Sequence, residues 1–522
     1  MYDVNKQYHL QNLKGDKTMK RIITLLLALM LIVSCLGLFA CKKDTTDDQN
    51  DDDKTPSTDK DDSLQSDVDI EDILIDSEAT LDIPSDLKYD YTCKIFAPDP
   101  YGPTAFYTEA LNNTPVNDAL YNRNLMLEDT LGVKIEAISL DTSAGTQSQK
   151  FIDEILAGNH SFDFAAVHST SACAALIMSN AVLPFDNLEY VDLSKPWWDS
   201  GLAETCSVMG ENYFALSPMC KGYYSNTSCM LFNKDLAAEA NLPDIYEIVR
   251  KGDWTVDKLI ELTKNFSEDL NNDGIFNEED KLAIISDDTA YMNFWLGAFR
   301  QSTISKGEND EPTISANSSR MNNAIEKLNS LFHTGRRGIV YDMKERIDGD
   351  DEWHAAFAEG RVLFKVCIVG TAVGLRQSDI NFGIVPLPKL NKDQDRYGSW
   401  VDPWGLILCV PSDCPDTERT GAILEAMSYH SYHMLYPAII EQSIYASGAR
   451  DLESIEMLKI IYDNMFFDFG FVFDGNGNGY GDIIRTLVPN KSTDISSYIA
   501  TKRNQVEDHF SDLYERMLDN YG

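Results

Sequence analysis

The chain has 522 residues, with 84 Asp or Glu against 44 Lys or Arg, and its formal net charge is −40 at pH 7. Phosphate backbones bind proteins through Lys and Arg that displace counterions, so this charge excludes nucleic acid as a partner. The segment from Ala79 to Gly522 is long enough for two domains and too long for one simple core.

The first 41 residues, 1–41, have the pattern of a secretion signal that ends in a lipobox. Lys20 and Arg21 precede the charge-free, largely apolar run 22–40, and Cys41 follows a small residue. We expect cleavage before Cys41 and attachment of a lipid such as palmitate, which would anchor the protein to the extracytoplasmic face of the cell membrane. An uncleaved membrane anchor is the alternative. Translation is expected to begin at Met19.

Residues 42–78 are predicted to form a disordered, acidic tether. Asp, Thr, Ser and Lys dominate this segment, and it contains no aromatic residue. Such a composition cannot bury enough apolar surface to offset the entropy of ordering, and its like charges keep it extended. We therefore expect a spacer between the membrane and the folded part of the protein.

Strand and helix patterns alternate along the rest of the chain, which predicts an α/β fold with a mostly parallel sheet and helices on both faces. A helix over 115–131 is punctuated by Pro115 in its first turn and Gly132 just past its end. Further helices are predicted around 150–157 and from Ser169. The predicted strands are 91–97, 133–139, 162–167, 229–232, 281–285, 362–368, 382–386 and 406–411.

Four short segments resemble segments of the extracellular solute-binding protein family 1, the maltose-binding-protein-like receptors of ABC sugar importers. They occur along this chain in the same order as in that family. They are LFNKDL at 231–236, GDWT at 252–255, FAEGR at 357–361 and FGIVPLP at 382–388. The resemblance implies a two-lobe, periplasmic-binding-protein-like type II fold, with a hinge and a ligand cleft between discontinuous lobes. We expect one lobe from 79–220 and 345–400, and the other from 221–344 and 401–522.

The resemblance implies a non-enzymatic, monomeric receptor that captures a carbohydrate or oligosaccharide and delivers it to ABC permease subunits. The residues themselves show none of the common hydrolase, P-loop or dinucleotide motifs. Two alternatives remain open. A receptor of the same fold could bind a peptide or another polar solute, and a surface-anchored glycoside hydrolase would belong to a different class.

Sugar binding requires aromatic rings for the apolar face of a pyranose, with carboxylates, amides and hydroxyls for its OH groups. Loops after the strands of an open α/β sheet, and the tryptophan-rich segment 398–404, are the places to seek them. Core packing is an equal alternative for Trp295. The predicted ligand contacts are Asp99, His168, Ser169, Tyr224, Asn226, Trp295, Trp400, Asp402 and Trp404.

The segment 269–280, DLNNDGIFNEED, has the spacing of a calcium-binding loop. Oxygen side chains occupy loop positions 1, 3, 5, 9 and 12, and Gly274 stands at position 6, where the loop turns sharply. Asp replaces the usual Glu at position 12. We expect a structural calcium ion bound by Asp269, Asn271, Asp273, the Ile275 carbonyl, Asn277 and Asp280. An Asx-rich turn without metal is the alternative.

Overall fold

The computed structural model describes residues 74–98, 102–140, 144–286, 289–334, 338–340, 352–375, 378–401, 405–445, 452–475 and 477–522. The predicted signal and nearly all of the predicted tether lie outside these residues. So do Cys41, Asp99, Asp402 and Trp404. None of the helices within the described ranges is long and apolar enough to cross a membrane.

The described residues form strands and helices in alternation. The strands are β1 (Tyr91–Phe96), β2 (Val133–Ile138), β3 (Phe164–His168), β4 (Val182–Leu183), β5 (Ser228–Asn233), β6 (Leu282–Ser286), β7 (Ile304–Lys306), β8 (Pro312–Ile314), β9 (Gly338–Val340), β10 (Val362–Ile368), β11 (Phe382–Val385), β12 (Ser399–Trp400), β13 (Leu406–Pro411) and β14 (Met465–Phe466). The helices of the first half are α1 (Gly102–Phe106), α2 (Pro115–Leu131), α3 (Ala144–Leu156), α4 (Ser169–Met178), α5 (Ser200–Cys206), α6 (Lys221–Ser225), α7 (Lys234–Glu239), α8 (Ile245–Arg250) and α9 (Val256–Leu262). Those of the second half are α10 (Phe294–Ala298), α11 (Ser319–His333), α12 (Glu352–Ala358), α13 (Val369–Gly374), α14 (Thr417–His430), α15 (Tyr436–Tyr445), α16 (Leu452–Asp463), α17 (Phe469–Val472), α18 (Ile483–Leu487) and α19 (Ile495–Tyr521).

The first lobe is built on a five-stranded sheet with the order β2-β1-β3-β13-β4. Strand β1 is parallel to β2 and β3, whereas β13 is antiparallel to β3. Helix α2 follows the sequence prediction at both ends. It begins at Pro115, and Gly132 ends it with a φ of 68° while its N–H donates to the Glu128 carbonyl.

The second lobe is built on a sheet with the order β11-β5-β10-β6-β9. Strand β10 is antiparallel to β5 and parallel to β6. Both sheets are therefore mixed, and the expectation of a mostly parallel sheet is correct for β1, β2 and β3 in the first and for β10, β6 and β9 in the second. The α/β fold with two lobes is confirmed.

The expected division of the later segments between the lobes is wrong for three strands. Strands β10 and β11 pair with β5 in the second sheet, although 345–400 was assigned to the first lobe. Strand β13 pairs with β3 in the first sheet, although 401–522 was assigned to the second lobe. All three are apolar runs, and an apolar run does not specify which distant strand it will pair with.

Three chain segments run side by side where the two sheets meet. Thr227, just before β5, forms a bridge with Val401, just after β12. Strand β12 pairs in parallel with β14, and the Trp400 N–H donates to the Ser228 hydroxyl at 2.8 Å. These segments form the hinge that the resemblance implied, because β5 leads into the second sheet and β12 leads back toward β13 in the first.

The C-terminal helices pack against both lobes. Helix α14 packs on α2, and α19 packs on α4, both in the first lobe. Helix α16 packs on β11 at the edge of the second sheet. The C-terminal helices thus pack on elements of both lobes.

Candidate ligand-binding site

Three cavities lie in a row along the edge of the first sheet where β1, β2 and β3 end. The hinge cavity, of about 20 Å³, includes Ser169, Gly405 and Ile407 in its wall. The middle cavity, of about 130 Å³, includes Leu406. The outer cavity, of about 500 Å³, shares Thr104 and Lys221 with the middle one. Open α/β sheets bind ligands at this edge. The outer cavity has the volume of a ligand site, whereas the hinge cavity as it stands has room for little more than one water molecule.

Aromatic side chains dominate the hinge cavity. The Trp400 and Phe471 rings meet edge to face with centroids 4.6 Å apart, and Tyr223 stacks on Phe467 at 5.9 Å. Phe466 completes the set. The hinge segments place these rings, because Trp400 lies in β12 and Phe466 in the strand β14 beside it.

The hydroxyl of Tyr223 is buried in this aromatic wall and has no hydrogen-bond partner among the described residues. Burial holds the pKa of this phenol well above its usual value, so it remains a neutral donor. A buried hydroxyl without a partner costs free energy. It is therefore suited to a hydrogen bond with a bound ligand.

Asp468 brings a carboxylate to the hinge cavity. It caps α17 and accepts hydrogen bonds from the N–H groups of Thr303 at 3.0 Å and Gly470 at 3.2 Å, and from the Thr303 hydroxyl. Burial raises its pKa to about 6. These bonds fix the carboxylate at the junction of the two lobes.

The structure brings several predicted ligand residues to these cavities. Ser169 and Trp400 line the hinge cavity, and Asn226 lines the middle one. His168 is the last residue of β3, next to Ser169, and burial lowers its pKa to about 4, so the imidazole is neutral at pH 7. Of the predicted contacts, these four lie at or beside the cavities.

Two predicted contacts lie elsewhere. Tyr224 is buried against Tyr436 and Tyr462, with ring centroids 5.3 and 4.9 Å away, and lines none of the three cavities. Trp295 is fully buried in the second lobe beside Phe299 and Phe332. Core packing, the alternative for Trp295, therefore describes both residues.

Sequence reasoning missed the hinge-cavity residues of the segment 465–473, MFFDFGFVF. Five phenylalanines around a single acid form an unusual composition, and this signal could have drawn attention to Asp468. Tyr223 was missed in favour of its neighbour Tyr224, which packs against Tyr436 and Tyr462.

The loop 269–280 is held by its own oxygen atoms. Asp269 Oδ2 accepts the Gly274 N–H at 2.8 Å, and Gly274 has a φ of 80°. The Asp280 carboxylate is buried and accepts N–H groups from Leu270 at 2.9 Å and Asn277 at 3.0 Å. Oδ1 of Asp269 is buried and has no hydrogen-bond partner within the described part of the chain. A cation would satisfy this orphan oxygen, whereas the occupied oxygens of Asp280 are less free to bind it.

Acidic side chains alone do not make this loop a metal site. Within the described ranges, no three His, Cys, Asp or Glu side chains converge as metal ligands. The expected ligand set also relies on the amides of Asn271 and Asn277 and the Ile275 carbonyl. The loop precedes β6, and the Arg361 guanidinium at the start of β10 donates to the Glu278 carbonyl at 3.0 Å. It thus lies at the edge of the second sheet opposite the hinge, far from the cavities.

Comparison with solved structures gives two matches in fold that extend over most of this chain. A cyclo/maltodextrin-binding protein in complex with maltotetraose has a TM-score of 0.50 and 13% identity over 84% of this chain and 98% of its own. The galacto-N-biose-/lacto-N-biose I-binding protein of an ABC transporter from Bifidobacterium longum, in complex with lacto-N-biose, has a TM-score of 0.50 and 13% identity over 82% and 96%. At this identity the matches show the fold.

Comparison with curated protein sequences finds no match. The model of a protein family, described as bacterial extracellular solute-binding protein, matches residues 126–429. That stretch covers more than half of the chain, from α2 in the first lobe through the second sheet and back to α14. The chain therefore belongs to the bacterial extracellular solute-binding proteins.

Proposed function

We propose that this protein is a receptor that captures a carbohydrate outside the cell and delivers it to an ABC permease. The observation that carries the proposal is the row of cavities at the end of the first sheet, which leads from the outer cavity of about 500 Å³ to the hinge, where the rings of Tyr223 and Trp400 adjoin the carboxylate of Asp468. Aromatic faces with a few fixed polar groups are what a pyranose requires. Both matched solved structures are saccharide complexes, which supports the same ligand class.

Ligand capture follows from the position of the cavity at the hinge. Ser169 comes from the first lobe, whereas Asp468 is bonded to Thr303 beside β7. A sugar that contacts both would favour a closed arrangement of the lobes, since it can shift an equilibrium only by binding one state better. The Tyr223 hydroxyl would donate to a sugar oxygen, and Asp468, whose oxygens already accept from Thr303 and Gly470, would hold the neighbouring aromatic segment in place.

A melting curve of the purified protein, produced with Cys41→Ser to omit the lipid, tests the proposal against a panel of oligosaccharides, peptides and polyols. A ligand that binds only the native state raises the midpoint, and we expect this from one glycan family. A rise with peptides and none with glycans would favour the polar-solute receptor. Cleavage of the glycan, detected as new reducing ends, would favour the glycoside hydrolase.

Membrane attachment through Cys41 is a second part of the proposal. It is supported by the lipobox in the sequence and by a family of extracellular proteins. Cells that express the full chain should incorporate labelled palmitate into it, and Cys41→Ser should release the protein from the membrane fraction. A variant that stays in the membrane without label would instead indicate an uncleaved anchor.

We also propose that the loop 269–280 binds calcium in a structural role. The orphan Asp269 Oδ1, the oxygen spacing and the turn at Gly274 support a cation there. The positive charge of the ion would hold the loop against the start of β6 and β10. Because the loop lies away from the cavities, the ion would have no part in ligand capture.

A further inference from the structure

Lys221, the first residue of α6, lies in the wall that the middle and outer cavities share. Its side chain is half-buried, and no described residue forms a hydrogen bond or an ion pair with its ammonium group. Many other lysines in this acidic chain are paired, such as Lys195 with Asp82 and Lys327 with Asp257. An unpaired ammonium facing two cavities is therefore unusual in this molecule.

A second cation adds to the positive potential at the same place. Arg123 in α2 is fully buried, and its guanidinium donates to the Phe106 carbonyl at 2.9 Å, the Ser431 hydroxyl at 3.2 Å and the Asn124 side chain at 2.7 Å. All three acceptors are neutral, and Phe106 lines the middle cavity. Burial and the nearby Arg123 charge lower the pKa of Lys221 to about 8.

The other polar groups of the outer cavity leave this charge uncompensated. Thr108 donates to Asn117 Oδ1 at 2.7 Å, and Asn117 in turn donates to the Ala110 carbonyl at 2.9 Å. Glu109 is the one carboxylate that lines this cavity among the described residues, and it is exposed and unpaired with Lys221. Burying a charge without a partner costs free energy. An anionic ligand that paired with the Lys221 ammonium would remove this cost.

We propose that Lys221 binds a carboxylate of the ligand, and that the captured solute is an acidic saccharide containing uronic acid residues. One free ammonium matches one singly charged group, since most of the Arg123 donors are already engaged with the protein. The outer cavity, of about 500 Å³, would receive an acidic residue of the oligosaccharide beside Lys221, and the row of cavities would lead its neighbouring rings toward the aromatic side chains at the hinge. This inference rests on the proposed carbohydrate function.

Calorimetric titration of the mature chain with matched pairs of sugars tests the inference. Suitable pairs are digalacturonate with galactobiose, a mannuronate dimer with mannobiose, and a glucuronate-containing disaccharide with cellobiose. We expect one acidic member to bind at least about tenfold more tightly than its neutral counterpart. Lys221→Gln should raise the Kd of that acidic sugar about 10- to 100-fold, the range for a hydrogen bond to a charged group.

Lys134→Gln is the matched control, because Lys134 is an exposed lysine of the same lobe paired with Glu128. It should leave the Kd of the acidic sugar unchanged. Lys221→Gln should melt no lower than the parent protein without ligand, since it removes an unpaired charge. Lys221→Glu should weaken binding of the acidic sugar further than Lys221→Gln, through repulsion.

The outcomes separate this inference from the proposed function. Equal affinity for acidic and neutral members, or an unchanged Kd in Lys221→Gln, would overturn the inference while the sugar receptor stands. A preference for a sulfated saccharide over the uronate would overturn the carboxylate assignment. Silence from every saccharide would overturn both proposals together.

Discussion

Tyr223 is the single side chain that best separates ligand binding from stability. Its ring packs on Phe467, whereas its hydroxyl has no described partner. Tyr223→Phe removes only that hydroxyl, so the melting temperature without ligand should stay equal or rise slightly. If the hydroxyl donates to a bound sugar, the Kd should rise about tenfold, the equivalent of about 1.4 kcal/mol.

Tyr89→Phe provides the control for this comparison. The Tyr89 hydroxyl is also buried without a described partner, but Tyr89 lies just before β1, at the opposite edge of the sheet from the cavities. Its removal should leave the Kd of the sugar unchanged. Equal effects of the two variants would contradict a ligand contact at Tyr223.

Glu425 in α14 illustrates how burial of a single residue affects the response to pH. Its carboxylate accepts the indole N–H groups of Trp197 at 3.1 Å and Trp198 at 2.9 Å. Burial nonetheless raises its pKa to about 7. The indole bonds favour the charged form, but they only partly offset the loss of solvation. The folded state therefore retains a proton on Glu425 at pH values where the unfolded chain has lost it.

This raised pKa predicts a loss of stability as pH increases. The contribution of Glu425 is fully present below its unfolded pKa of about 4.3 and is lost as pH rises through about 7. The free energy of unfolding can be measured with urea at pH 5 and at pH 8. Its decrease between these two pH values should be smaller by a few kcal/mol in Glu425→Gln than in the parent protein. Glu418→Gln, an exposed residue of the same helix, should behave like the parent. Identical pH dependence in all three proteins would refute this account.

At the scale of elements, the loop 269–280 offers a test of calcium binding. Calcium at 100 times its Kd stabilises a one-site protein by about 2.7 kcal/mol, so a chelator should lower the melting temperature measurably. Asp269→Asn should melt at the same temperature with calcium and with chelator, because it removes the charge of the orphan oxygen. Asp508→Asn, on the exposed face of α19, should keep the full response. No response to chelator in the parent would support the metal-free Asx turn.

The hinge elements explain why the ligand cavity lies where it does. Strands β12 and β14 are only two residues long, and they pair with each other outside the two main sheets. They bring Trp400 and Phe466 side by side. Short paired segments at a lobe junction can absorb backbone changes, which is what hinge closure requires. The same elements thus supply both the moving part and the aromatic wall.

At the scale of the whole molecule, the two lobes should approach each other when ligand binds. Small-angle X-ray scattering with saturating glycan should give a smaller radius of gyration than the protein without ligand. The physical reason is that contacts from both lobes are gained only in the closed state. A glycan that saturates the site in calorimetry and leaves the radius of gyration unchanged would contradict closure.

Most secondary structure could be predicted from the sequence, because it depends on local signals. The helix α2 and the strands β10 and β13 have the predicted bounds, since apolar periodicity and terminal residues such as Pro115 and Gly132 act within a few positions. The two-lobe fold followed from the ordered resemblance of several segments. The candidate site was predicted in part, through Ser169, Asn226 and Trp400.

The tertiary structure alone decided which sheet each later strand joins and which aromatic side chains reach a cavity. Strands β10 and β13 are both largely apolar, yet β10 pairs with β5 and β13 with β3, because pairing is a long-range choice among similar edges. Trp295 and Trp400 are equally hydrophobic, but one fills a core and the other lines the hinge cavity. Local sequence determines what a segment becomes, whereas its partners depend on how the whole chain packs.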